Sequence, residues 1–170
     1  ILRCLVGSEM CIRDRHSSHA KTVDTYRSIL LNKNITSKKK ALLLASKNNM
    51  HTSKIYLSLK LNDHQAVDVF MGKILGSNLH NIDKVSLLAA KNKQNISGFF
   101  MALYNGHAES VEIYMRAILN SNLNNLQQVN LLAAKNNKQK PGIVFALEKK
   151  HTSVVKIYRE IISQSTLNPS

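Results

Sequence analysis

Apolar residues in this chain recur at the spacing of one buried helical face. Phe99 and Leu103 lie four residues apart, and Val111, Tyr114 and Ile118 follow at spacings of three and four. Side chains three or four residues apart share one face of an α-helix, whereas a half-buried strand alternates apolar and polar residues. No stretch of the chain alternates cleanly in that way. The pattern therefore predicts an all-α protein.

The same pattern returns every 44 residues. The letters "VSLLAAKNKQ" begin at Val85 and "VNLLAAKNNK" at Val129, and superposing residues 85–119 on 129–163 without gaps gives 15 identities in 35 positions. Two series keep the period over nearly the whole chain: Val23, Val67, Val111 and Val155, and three residues later Tyr26, Phe70, Tyr114 and Tyr158. A catalytic motif is normally needed once, so this period indicates repeated architecture.

Each repeat is predicted to contain three helices. In the third unit they span about Gly98–Asn105, Ala108–Asn120 and Leu126–Lys135. The repeat domain, residues 16–165, is divided into a partial unit at 19–48, full units at 53–92 and 97–136, and a partial unit at 141–163, with a tail at 166–170. The predicted fold is a helical solenoid with about three helices per 44-residue unit.

Residues at fixed phase mark the predicted helix ends. The first helix of each unit follows a residue suited to a helix start: Ser53, Ser97 and Pro141. Two further series flank the third helix. Its predicted N-caps are Ser37, Asn81 and Asn125. The residues predicted to follow it in the left-handed conformation are Asn48, Asn92 and Asn136. Gly106 is predicted to supply a turn with positive φ between the first two helices.

The stretch "GFFMALYNGHAESVEIY", from Gly98 to Tyr114, resembles the helix–turn–helix of ankyrin repeats, with "NGH" at the turn. "SGFF" and "PGIV" stand where that family has Thr-Pro-Leu-His, and the unit exceeds the family's usual length of about 33 residues. The longer unit, with its "LLAAKN" segment, is similar to ankyrin-type repeats of some enterobacterial type III secreted effectors.

This resemblance covers residues 19–163 and implies an ankyrin-like solenoid whose third helix stands where the family has a β-hairpin finger. It also implies a non-catalytic, protein-binding module, with any enzymatic domain outside the repeats. The expected setting is then the bacterial cytoplasm, or a host cell into which the protein is secreted. An armadillo- or HEAT-like solenoid, with periods of about 40–47 residues, is the alternative architecture.

Residues 1–15, "ILRCLVGSEMCIRDR", share neither the period nor the helical spacing and resemble the translation of a sequencing adapter. We therefore treat them as a non-native segment. They contain both cysteines, so the remainder has no thiolate metal site, disulfide or cysteine nucleophile. They also contain three of the 24 basic and two of the 10 acidic residues, which leaves a formal net charge of +13. That charge predicts attraction to acidic surfaces.

Candidate catalytic and metal-binding groups are few. His19, His107 and His151 share the repeat phase, but stacked units would hold them too far apart to meet at one zinc ion. We assign them turn or capping roles. Since phosphate loops, paired carboxylates and Ser/His/Asp arrangements are absent from the sequence, we expect no metal, no cofactor and no enzymatic activity. No apolar run approaches the roughly 18–20 residues that span a membrane.

The aromatic residues divide into core and surface candidates. The series that contains Tyr114 could stack nucleic-acid bases, but its position on the apolar helical face favours a ladder inside the core. Tyr104 has Lys60 and Glu148 at its phase in the neighbouring units. Since this position varies so freely, Tyr104 is predicted to be exposed and is a candidate interface anchor.

Lysines concentrate in the loop after the third helix. With Tyr104, they are the candidate partner-binding residues: Lys47, Lys91, Lys93, Lys135, Lys138 and Lys140. A solenoid aligns equivalent positions, so these lysines are predicted to form a basic ridge along one edge. We expect a monomer that binds the acidic surface of another protein. The alternative is a basic solenoid that binds nucleic acid or another anionic surface.

Overall fold

The computed structural model describes residues 53–165 and contains there eight α-helices and no β-strand. The helices are α1 Lys54–Leu61, α2 His64–Leu75, α3 Asn81–Leu88, α4 Gly98–Asn105, α5 Ala108–Leu119, α6 Asn125–Ala133, α7 Gly142–Glu148 and α8 Thr152–Ser163. The all-α prediction is thereby confirmed for these residues. The adapter-like segment, the partial unit at 19–48 with Lys47, and the tail at 166–170 lie outside them.

Helices at the same phase of successive units pack against one another. The first helices follow each other in the order α1, α4, α7, the second helices in the order α2, α5, α8, and the third helices α3 and α6 are in contact. Packed helices lie about 8–10 Å apart. Equivalent residues of neighbouring units are therefore brought close together although they are 44 positions apart in the chain.

The first helix of each unit begins directly after the residue that the sequence predicts. The Oγ atoms of Ser53 and Ser97 each accept a hydrogen bond from the backbone N–H three residues on, at 3.3 and 3.2 Å. Pro141 occupies the equivalent position before α7. After α4, Gly106 has φ of 79° and turns the chain into α5, as predicted. The observed bounds of α4 and α5 match the predicted ones to within one residue.

The third helices differ from the prediction at both ends. Asn81 and Asn125 are not N-caps, because each is the first helical residue of its helix. The cap of α6 is Asn124, whose Oδ1 accepts from the N–H of Gln127 at 2.9 Å while the Gln127 side chain accepts from the N–H of Asn124 at 3.1 Å. At the other end, α6 stops at Ala133 and does not reach Lys135.

Tyr114 lies at the centre of the core. Its side chain is 1% exposed, its ring stacks on that of Phe99 with centroids 4.5 Å apart, and its O–H donates to the Leu88 carbonyl at 3.1 Å. Tyr158 repeats the arrangement by donating to the Leu132 carbonyl at 3.3 Å. Burial raises the pKa of both phenols above the ordinary value, so both stay protonated donors. The core assignment of this series is confirmed at Tyr114, whereas Tyr158 is half-buried.

Candidate binding surface

A narrow hairpin follows the third helix in each full unit, at residues 91–97 and 135–141, and we call these two segments the fingers. In the first finger, Lys91 and Ser97 form an isolated antiparallel bridge. The Asn92 Oδ1 accepts from the N–H groups of Gln94 and Ile96 at 2.9 and 3.0 Å. Satisfying two backbone donors with one side chain holds the loop closed.

The second finger repeats this geometry 44 residues later. Lys135 bridges to Pro141, and the Asn136 Oδ1 accepts from the N–H groups of Lys138 and Lys140 at 2.9 and 3.0 Å. In both fingers the left-handed residue comes three positions after the asparagine: Asn95 with φ of 62° and Gln139 with φ of 60°.

Two predictions about these segments are therefore corrected. Asn92 and Asn136 do not end the third helix in a left-handed conformation, because their side chains instead close the loops that follow it. The third helix also does not stand in place of a hairpin finger. Each third helix is followed by a short finger, so the third helix is present in addition to a finger and does not replace it.

Four lysines of the fingers, which we call the finger lysines, are exposed: Lys91, Lys93, Lys135 and Lys138. Within residues 53–165, the structure shows none of them in an ion pair with a carboxylate. The fingers themselves contain no Asp or Glu. The positive charge of this surface is therefore not neutralised by the described part of the chain.

Lys140 differs from the finger lysines. Its Nζ lies 2.5 Å from a carboxylate oxygen of Glu148 and 4.5 Å from the ring centroid of Phe145. The Lys140 side chain is thus engaged by two residues of α7, although it belongs to the same finger as Lys135 and Lys138. The predicted ridge is therefore represented in the described residues by the finger lysines, and Lys47 lies outside those residues.

Tyr104 is not the freely exposed aromatic that its phase predicts. Its side chain is half-buried, its ring centroid lies 6.2 Å from that of Phe100 and 5.6 Å from that of Phe145, and the Lys149 Nζ lies 3.5 Å from its centroid. A cation over the face of a ring stabilises the contact and also covers the ring. Tyr104 belongs to an aromatic cluster between α4 and α7.

The two histidines that share a phase connect neighbouring units, a role that the sequence did not indicate. His107 and His151 are the residues before α5 and α8, yet neither side chain caps its helix. The His107 Nδ1 lies 3.0 Å from the Leu59 carbonyl oxygen, and the His151 Nε2 lies 3.2 Å from that of Tyr104. A carbonyl only accepts, so each of these ring nitrogens carries a proton. Both residues thus lie at the predicted turn, but neither side chain makes a capping bond.

Within residues 53–165, no three His, Cys, Asp or Glu side chains come close enough together to hold a metal ion. In the same part of the chain, no helix has the length and apolar character needed to cross a membrane.

The described residues thus form an all-α protein of repeated helical units, with a basic finger at the same place in two successive units. Comparison with protein-family models, curated proteins and solved structures finds no match to this chain.

Replacing Asn92 by alanine should open the first finger. The substitution removes both bonds to the finger backbone and the bond that the Asn92 Nδ2 donates to the Tyr56 phenolic oxygen at 3.0 Å. We expect the free energy of unfolding to fall by about 1–2 kcal/mol and the Ile96 amide to exchange faster with deuterium. Gln94→Ala, at an exposed neighbouring position, is the control. Unchanged exchange at Ile96 would contradict the role of Asn92.

Proposed function

We propose that this protein is a non-catalytic, ankyrin-like solenoid that binds the acidic surface of another protein. The observation that carries the proposal is the set of finger lysines, which are exposed at matching positions of two successive units without carboxylate partners among the described residues. Stacked repeats create extended surfaces that commonly bind proteins, and complementary charge orients and accelerates such binding.

The ankyrin-like architecture is supported by the order of elements within one unit. Helix α4, the left-handed Gly106 and helix α5 form a helix–turn–helix, and a short finger precedes α4. The first helices pack against one another along the chain, as do the second helices. The third helix is the addition, and on the resemblance to type III effector repeats we propose the same secreted, non-catalytic role for this module.

The third helices expose two apolar side chains that can anchor such a partner. Ile82 and Leu126 occupy the same phase of α3 and α6, and they are 78% and 70% exposed. Isolated apolar side chains on a surface are ordinary, but here the exposure recurs on two helices that touch. Apolar contacts desolvated at the centre of an interface contribute most of the binding energy, while charges at the rim contribute rate and orientation.

Nucleic acid is the second candidate partner, because the chain has a formal net charge of +14. Binding of single strands usually combines a basic groove with aromatic rings on which bases stack. Among residues 53–165, no aromatic residue is found with the exposed large apolar side chains. This favours a protein partner over a nucleic-acid partner.

Charge reversal of the finger lysines should abolish partner binding and leave the fold intact. We would select binders to the full chain from a displayed random peptide library and test them on the reversed variant: Lys91→Glu, Lys93→Glu, Lys135→Glu and Lys138→Glu. We expect the selected peptides to be rich in Asp and Glu, and their affinity to fall by about tenfold or more in this variant. Exposed charges contribute little to stability, so its circular dichroism should not change.

The matched control carries the same change of charge at exposed sites away from the fingers: Lys60→Glu, Lys150→Glu, Lys156→Glu and Arg159→Glu. These reversals should weaken the selected peptides less than about threefold. Duplex DNA should bind the wild-type chain no more tightly than about 10 µM at physiological salt. A nanomolar, sequence-selective nucleic-acid complex that the finger reversal destroys would instead establish the second candidate.

A further inference from the structure

A cavity of about 300 Å³ lies between the two fingers and the third helix α6, and we call it the interfinger cavity. Lys91 and Asn95 reach it from the first finger, and Lys135 and Gln139 from the second. Asn130 adds a side-chain amide from α6. The cavity is therefore lined by two cations from successive units and by amide groups that can donate hydrogen bonds.

An equivalent cavity, of about 480 Å³, lies one unit earlier. Seven of its ten lining residues are each 44 positions before a lining residue of the interfinger cavity: Ser53, Phe70, Ser86, Leu87, Ala89, Ala90 and Lys91. The cavity is thus a recurring property of the unit. Lys91 lines both cavities and therefore lies between them.

Both cavities offer donors to a carboxylate. No Asp or Glu is found among the described residues that line either one. An entering anion meets lysines and side-chain amides in the interfinger cavity, and lysines and serine hydroxyls in the otherwise apolar earlier cavity. Charge-assisted hydrogen bonds from lysine to a carboxylate are stronger than neutral ones. A nucleobase would need an open ring face, and the aromatic ring that lines the interfinger cavity, Tyr114, is 1% exposed. Carboxylate side chains are therefore favoured over nucleotides at the interfinger cavity.

The distance between neighbouring cavities selects a peptide conformation. Equivalent helices of successive units are packed side by side, which sets the repeat spacing at about 8–10 Å. A polyproline II helix rises about 9 Å in each turn of three residues. We propose that the protein binds an extended, proline-rich acidic segment whose carboxylates, at every third residue, enter successive cavities. This inference rests on the proposed function and names the partner's chemistry.

The test uses labelled peptides, the full chain and fluorescence anisotropy at physiological salt. The probe has five Glu-Pro-Pro triplets, and two comparison peptides have Gln-Pro-Pro triplets or five Glu-Pro-Pro-Pro quartets. We expect the Glu-Pro-Pro probe to bind about tenfold more tightly than either comparison peptide. The quartet peptide has the same number of carboxylates, so the comparison separates register from charge.

A pair of lysine variants locates the binding in the cavities. Lys91→Gln with Lys135→Gln removes the two lysines that line the interfinger cavity, and we expect about a tenfold loss of probe affinity. Lys93→Gln with Lys138→Gln removes the same charge from exposed finger lysines outside its lining, and the loss should be less than about threefold. Equal losses in the two variants would overturn the cavity assignment.

Other results separate this inference from the proposed function. Equal binding of the triplet and quartet probes, or no binding of either, would overturn the inference. The proposed function would still stand if library-selected acidic peptides lost binding on reversal of the four finger lysines. A single-stranded oligonucleotide that bound more tightly than the Glu-Pro-Pro probe, and that competed for Lys91 and Lys135, would overturn both proposals.

Discussion

Replacing Tyr114 by alanine should lower the free energy of unfolding by about 3–5 kcal/mol, the range for removal of a fully buried aromatic side chain. The substitution leaves a void against Phe99, whose ring stacks on Tyr114 with centroids 4.5 Å apart. It also removes the donor to the Leu88 carbonyl, which is an acceptor on the preceding unit. Urea denaturation followed by circular dichroism measures the loss.

Two companion variants separate the contributions to this loss. Tyr114→Phe keeps the ring and removes only the bond to Leu88, so it should cost about 1 kcal/mol. Tyr104→Ala removes a half-buried ring that contacts Phe145 and Lys149, and it should cost about 1–2 kcal/mol. A larger cost at Tyr104 than at Tyr114 would show that the buried face has been assigned incorrectly.

Replacing Gly98 by alanine should destabilise the protein by about 1–3 kcal/mol, although alanine is normally the better helix former. A Cβ at this position would lie 2.8 Å from the Tyr56 Cα and 3.1 Å from the Leu59 Cδ1. The first contact is with backbone, so relief requires that helices α1 and α4 move apart. Thermal or urea denaturation of the full chain measures the effect.

Gly72 provides the matched control within the same fold. It lies inside α2, and a Cβ there would meet nothing within 4 Å. Gly72→Ala should therefore stabilise the protein by about 0.5–1 kcal/mol. Gly142→Ala should fall between the two, because its nearest contacts are side-chain atoms of Leu103 and Phe100 that can shift. A neutral Gly98→Ala would show that α1 and α4 are not in close contact.

Local features of the fold were predictable from the sequence, because their causes lie within a few residues. Helix α4 begins after the Ser97 cap and ends at the left-handed Gly106. Both ends could be predicted from the residue type and its position in the repeat. Asn92 was misassigned because an asparagine can end a helix or close a loop with equal chemistry. The choice depends on where α3 stops, and it stops at Leu88, before the bridge that joins Lys91 to Ser97.

The candidate surface was predicted less completely, because its exposure depends on neighbouring elements. The period placed Lys91 and Lys135 at equivalent sites, and both are exposed in the fingers. It could not show that Lys140 pairs with Glu148, a contact made across the turn between the finger and α7. For Tyr104, the varied residues at its phase suggested exposure, but Lys149 covers its ring. Packing between units decides both outcomes.

The bonds between units have a consequence for how such a gene can change in length. His107 and His151 contact main-chain carbonyls of the preceding unit, and the phenols of Tyr114 and Tyr158 donate to such carbonyls as well. A main-chain acceptor is present whatever the side chain at that position. An in-frame duplication of the 44-codon unit that carries His107 and Tyr114 would therefore recreate both of its bonds at the new junction. Recombination between the copies could lengthen the array without compensating substitutions.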